Sequence, residues 1–261
     1  MAHDPRMEPD LPCRDLAALA FIGRGWEVAQ YQLREAVFPG LSEVVASRRV
    51  RRWAALKFVR VERWMGMGMN LLRLTPAGRD RVVAAGVAKE HELFTPDRSV
   101  ALKDLRHLLY VNDVRTLALR GIPMVADLVR AAWALQRELQ PPPPAIPDLL
   151  LVRRATGRRP CRQLAVEIDL GGERLVATFL PKLRLLAEVL TGWADGGTTG
   201  ILILTRGARR AVAIRAGIEG LGLDVPVLVE ELPSASGAEA LRCLEKLLSP
   251  PVSASTQAGG V

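Results

Sequence analysis

Between residues 41 and 79 the apolar positions change their period twice along LSEVVASRRVRRWAALKFVRVERWMGMGMNLLRLTPAGR. At 100° per residue, a helix over residues 42 to 56 sets Ala46, Val50 and Trp53 on one side and Arg51, Arg48, Arg52 and Arg49 on a contiguous opposite face. From Phe58 to Met65 apolar and charged residues then alternate, which predicts a half-buried strand. The glycines of MGMGMN supply a turn into a second strand, LLRLT. Upstream, DLAALAFIGRGWEVAQYQLREAVF divides at Gly23 to Gly25 into two apolar-periodic helices. Downstream, Thr75 is placed to cap a helix running from Pro76, a residue suited to a first helical position. One position departs from the usual pattern: Lys57 stands where a helix of this kind commonly ends on Gly.

Three helices followed by a strand, a turn and a strand is the order of a winged helix-turn-helix, with residues 42 to 56 as its recognition helix. Charge sharpens that expectation. Seven Lys or Arg stand against two Glu between residues 42 and 63, in a chain whose whole net charge is +8. Basic residues gathered on one helix and the adjoining strand are the electrostatic footprint of a nucleic-acid binder, because each phosphate neutralised releases condensed counterions. Arg48, Arg49, Arg51, Arg52, Arg60 and Arg63 are the candidate contacts to double-stranded DNA, with bidentate Arg to guanine as the means of reading a base. The plainer reading of the same residues is a solvated arginine face.

Two breaks organise the rest. AKEHELFTPDRS (88 to 99) is polar, and QPPPPAIP (140 to 147) is stiffened by proline. The expected organisation is a flexible start over 1 to 14, the winged helix-turn-helix over 15 to 88, a linker over 89 to 99, an α/β domain over 100 to 248 and a disordered tail over 249 to 261. Within the α/β part, residues 100 to 119 are helical by pattern, while 125 to 139 fits helix or strand. DLLLVRR and RQLAVEIDL are strands joined as a hairpin, and a helix from Arg174 to Trp193 follows. GILILT, a helix from Ala208 to about Gly220, the strand PVLVEE and a last helix complete a sheet whose late strands are parallel.

The carboxylates there are placed for chemistry. Asp148 opens one strand, while Glu167 and Asp169, two apart on the next, share a face. Three such oxygen donors suit Mg²⁺, which could activate water at a scissile phosphate. Lys182 on the following helix is placed to lean over the same end of the sheet. Solvated or arginine-paired strand-end carboxylates are the bland alternative.

In order and spacing, LLRLTPAGR, HLLYVNDVRTLAL, WALQREL, PDLLL, VEIDLGGE and PKLRLL together resemble the bacterial replication-relaxation family, over roughly residues 15 to 205. These are plasmid and mobile-element proteins in which a winged helix precedes a domain similar to the PD-(D/E)xK nuclease fold. The resemblance implies a C-terminal restriction-endonuclease-like α/β domain in which Pro147 and Asp148 match the PD, Glu167 the acid of the (D/E)xK strand and Lys182 the lysine of the helix after it. Glu138 matches an acid before the PD strand, and His107, Asn112, Asp113 and Arg115 match polar positions of the domain's first helix. Asp169 departs from the pattern, standing where an active nuclease has Lys two residues after the acid.

Two expectations follow. The first is a DNA-binding protein of plasmid replication, mobilisation or its transcriptional control, needing no cofactor, whose nuclease-like domain is a scaffold. The second is an endonuclease using Glu138, Asp148, Glu167 and Lys182, with Mg²⁺ on Asp148, Glu167 and Asp169. A second copy of the chain and relaxosome or replication proteins are the further partners implied. Composition removes other classes: no apolar run approaches the roughly 20 residues of a membrane span, and the start has no apolar h-region behind a basic one. Three cysteines without CxxC spacing and three scattered histidines argue against a disulfide framework or zinc site. The expected setting is the cytoplasm.

Overall fold

The computed structural model describes residues 11 to 64, 66, 68 to 97, 100 to 121, 128 to 154, 161 to 193 and 198 to 232. It is a mixed α/β chain with a three-stranded and a five-stranded sheet, and it divides into two compact units, taken separately below. The expected disordered tail and last helix lie outside the described residues, as does most of the expected flexible start. Among the described residues no helix is long and apolar enough to cross a membrane.

The first unit covers residues 1 to 112 and 131 to 146. Its elements are α1 (Cys13–Arg24), β1 (Val28–Ala29), α2 (Gln30–Val37), α3 (Glu43–Ala55), β2 (Val59–Trp64), β3 (Met69–Leu74) and α4 (Pro76–Ala84). The strands pair antiparallel in the order β1-β3-β2. Leu19, Ile22, Leu33, Phe38, Trp53, Leu72 and Leu74 are fully buried and form one core with Val50 and Val59. The breaks fall where the chemistry requires. The Thr75 hydroxyl accepts from Gly78 N–H at 3.1 Å, capping α4, and donates to the Lys57 carbonyl at 2.5 Å. That second bond pins the turn after α3, where Lys57 takes the left-handed conformation at φ 60°. Gly78 is required by close approach, since a Cβ there would stand 2.2 Å from the Phe58 carbonyl oxygen.

Two expectations are corrected here. β2 is exposed rather than half-buried: only Val59 is buried, and Val61 is 41% exposed. The core takes β3 more than its partner: Leu72 and Leu74 are buried in it, whereas Val61, paired with Leu72, lies outside it. Residues 89 to 99 do not behave as a free linker over their described part. A single helical turn at Glu90–Glu92 leads into Leu93 and Phe94, both buried, and Phe94 N–H donates to the Gly23 carbonyl at 2.9 Å while Glu92 pairs with Arg24.

Helix α5 (Leu102–Leu119) belongs to the first unit through Asn112, and its Leu105 and Leu109 pack with Ala29 and Leu71. Three polar positions of this helix are not a solvated face: Asn112, Asp113 and Arg115 are all buried. Asn112 donates to the carbonyls of Gly25 and Glu27 at 3.0 and 2.9 Å, clamping both neighbours of Trp26, itself held at φ 62°. The ambiguous stretch resolves into both options, β4 (Leu128–Ala131) and then α6 (Ala132–Glu138).

The second unit covers residues 113 to 130 and 147 onward. Its sheet runs β4-β5-β6-β7-β8, with β5 (Leu149–Arg153), β6 (Arg162–Asp169), β7 (Thr198–Arg206) and β8 (Val227–Leu232). β5 is antiparallel to β6, and β6, β7 and β8 run parallel, as the apolar runs separated by helices predict. The crossovers are α7 (Leu180–Gly192) and α8 (Ala208–Glu219). The single helix expected from Arg174 starts instead with a π-helical turn at Leu175–Phe179.

Candidate functional site

Ser42 caps α3, and thirteen residues then carry the basic segment. Ala46, Val50 and Trp53 are buried, so the rotation of the helix is fixed and the opposite side faces solvent. Val44, Arg48, Arg51, Arg52 and Ala55 are exposed along that side. Arg48, Arg51 and Arg52 therefore form a cationic face as the sequence predicts, but Arg49 does not join it. Its guanidinium donates to the buried carboxylate of Asp15 at 2.5 Å and lies over the Phe38 ring, 5.6 Å from the centroid. The other Asp15 oxygen accepts from the Trp53 indole at 3.2 Å. Arg49 lies on the flank next to Trp53 and ties α3 to α1, which corrects its expected role on phosphates.

The hairpin divides the two remaining arginines. In register, Arg60 stands opposite Arg73 and Arg63 opposite Asn70. Because side chains alternate, Arg60 shares its sheet face with Glu62, Trp64, Leu71 and Arg73, whereas Arg63 shares the other with Val59, Leu72 and Leu74. The second face packs into the core that holds Val50 and Trp53 of α3. Arg60 instead donates to the Asp97 carbonyl at 3.2 Å. Only Arg63 is thus on the α3 side of the hairpin.

A polar chain that sequence reading missed runs across that side. Asn70 Nδ2 donates to Gln30 Oε1 at 3.0 Å, and Gln30 Nε2 donates to Ser47 Oγ at 2.6 Å. It links β3, the first residue of α2 and α3 beside Arg48. Single polar residues spaced by seventeen and forty positions carry no periodic signal, so only folding brings them together.

In the second unit, Lys182 of α7 reaches Glu167 of β6, its ammonium 2.6 Å from the buried carboxylate. Burial alone would depress the Lys182 pKa, but the Glu167 and Asp148 carboxylates outweigh it and hold the ammonium above its ordinary value. Asp148 also accepts from Ile168 N–H at 2.7 Å, anchoring the start of β5 to β6. The structure thus brings Asp148, Glu167 and Lys182 together as predicted. Glu138 lies in the other unit.

Asp169 has a different role from the metal ligand expected. One oxygen accepts from Thr205 and from Arg210 Nε at 2.7 and 2.8 Å, and the other from Gly171 N–H and Arg210 Nη2 at 3.0 and 3.2 Å. Its burial would raise the carboxyl pKa, but these donors outweigh that and lower it. Two of these four donors come from Arg210 of α8 and one each from Thr205 of β7 and Gly171, and together they take up the carboxylate's lone-pair positions. Among the described residues no group of three His, Cys, Asp or Glu is disposed to hold a metal ion. Asp148 and Glu167 are left as the oxygen donors of the expected set, with a lysine ammonium already among them.

No protein-family profile, curated protein or solved structure matches this chain.

Proposed function

We propose that the chain is a DNA-binding protein whose first unit is a winged helix, with α3 as recognition helix and β2–β3 as wing. One observation carries this reading: the buried Ala46, Val50 and Trp53 turn Arg48, Arg51 and Arg52 together into solvent on a capped helix. Three guanidiniums on one face, with Arg63 on the adjoining side of the hairpin, supply the positive charge that a duplex backbone attracts. The replication-relaxation resemblance supports a target on plasmid or mobile-element DNA in the bacterial cytoplasm, in replication, mobilisation or transcriptional control, and the second unit is then a nuclease-like scaffold that does not cut. Fluorescence anisotropy of labelled duplex DNA against the full chain tests it: binding that weakens steeply with added salt supports the reading, and no binding at low salt ends it.

One observation favours a second reading, a Mg²⁺-dependent endonuclease. Lys182 has come to Glu167 and Asp148, as a migrated catalytic lysine would. Mg²⁺ on Asp148 and Glu167 would supply a metal-bound water, while Lys182 would stabilise charge on the phosphate. Conversion of supercoiled plasmid to nicked or linear DNA in Mg²⁺ or Mn²⁺, lost in Glu167→Ala, would establish this reading. Intact plasmid in both metals would reject it.

A further inference from the structure

We propose that Val44 reads a thymine methyl group in the DNA major groove, so that the preferred site carries a thymine beneath the first turn of α3. The inference rests on α3 being the recognition helix. On a helical wheel Arg51 and Arg48 lie about 20° and 40° to either side of Val44, and Trp53 lies about 180° away. Val44 is therefore within the cationic face, between Arg51 and Arg48 with Arg52 about 80° away, and it is 64% exposed. A β-branched side chain there gains nothing from the core and is a poorer helix former than Ala or Arg.

Whatever receives the Arg48, Arg51 and Arg52 face must meet Val44 as well, so its partner has negative charge around an apolar point. The major groove has that composition, with phosphates along both rims and the thymine C5-methyl as its apolar feature. Position agrees with chemistry, because the N-terminal residues of a recognition helix are those that reach base edges. Val44 is the second residue of α3. This end is also held firmly, through Gln30 bonding Ser47 and Asn70, so the methyl contact is presented by a fixed backbone. The first-turn acid, Glu43, lies about 100° around the helix and off this face.

The test starts by enriching a preferred duplex from a randomised pool with the full chain. Each thymine of that duplex is then replaced by deoxyuridine, which deletes the methyl and nothing else, and affinities are measured for the native chain and for Val44→Ala. The expected result is one thymine whose replacement weakens the native chain about fourfold, the worth of one buried methyl, and leaves Val44→Ala unchanged. Replacements that affect both proteins alike, or neither, overturn the inference, as does tight binding with no sequence enriched; both outcomes leave the DNA-binding reading standing. No binding to any duplex overturns the two together.

Discussion

Lys57 carries a left-handed backbone that glycine would adopt without strain. For an L residue with a Cβ that conformation costs about 1 kcal/mol, while the gain from Gly is reduced by its freer unfolded chain. Lys57→Gly is accordingly expected to raise the unfolding free energy by less than about 1 kcal/mol, seen as a slightly higher urea midpoint, and a loss of stability would show that the lysine side chain does something the backbone does not. Asp169 gives a prediction with a pH signature. Its folded pKa is lowered below the ordinary 3.8, so the folded state binds its proton less readily than the unfolded chain does. Its contribution is present in full above the ordinary value and drains away as pH falls through the folded one. Asp169→Asn should lower stability at neutral pH by about 2 kcal/mol, the scale of hydrogen bonds to a charged group, and should flatten the acid limb of a Tm-against-pH curve. An unchanged acid limb would contradict the role given to Arg210 and Thr205.

At the scale of elements, periodicity made most helices and strands readable, and the residues that broke the reading have identifiable reasons. The apolar stripe of α3 survived because Ala46, Val50 and Trp53 are all buried on one side of the helix, Val50 and Trp53 within a single core. β2 alternates in sequence as a half-buried strand does, but pattern reports what a strand could bury, and the core covers only Val59 of it while Leu72 and Leu74 of β3 fill the same face. Charge alone makes Arg60 and Arg63 equal candidates, but an odd spacing on a strand sends them to opposite faces. Of the candidate DNA contacts, Arg48, Arg51 and Arg52 were legible because one helix carries them. Arg49 was not, because its partner Asp15 is on another helix. The hairpin yields a prediction for the proposed wing. Arg63→Ala should reduce the dependence of log K on log salt by up to about 0.9, the share of one phosphate, whereas Arg60→Ala should leave it unaltered. The reverse order would move the DNA to the other face of the hairpin.

Over the whole molecule, the division was legible only in outline. The proline run lies close to a real boundary, since the second unit takes the chain back at Pro147. A second boundary falls inside α5, between Asn112 and Asp113, where an uninterrupted helical pattern gives no mark, and a third falls between Arg130 and Ala131, at the end of β4. The polar stretch after Lys89 looked like a linker because Leu93 and Phe94 are two apolar residues among charged ones, yet both are buried in the first unit. In the second unit, the meeting of Lys182 with Glu167 and Asp148 was anticipated, and the capture of Asp169 by Arg210 was not, because any of many arginines could have supplied the partner.

Binding of duplex DNA by the α3 arginine face is best tested by the slope of log K against log salt, measured for the full chain and for its Arg48→Ala, Arg51→Ala, Arg52→Ala triple variant. The expected result is a steep slope for the native chain and one shallower by about 0.9 for each phosphate that the variant no longer neutralises. Equal slopes, with binding intact in both, would show that DNA is held elsewhere and that this face meets something else.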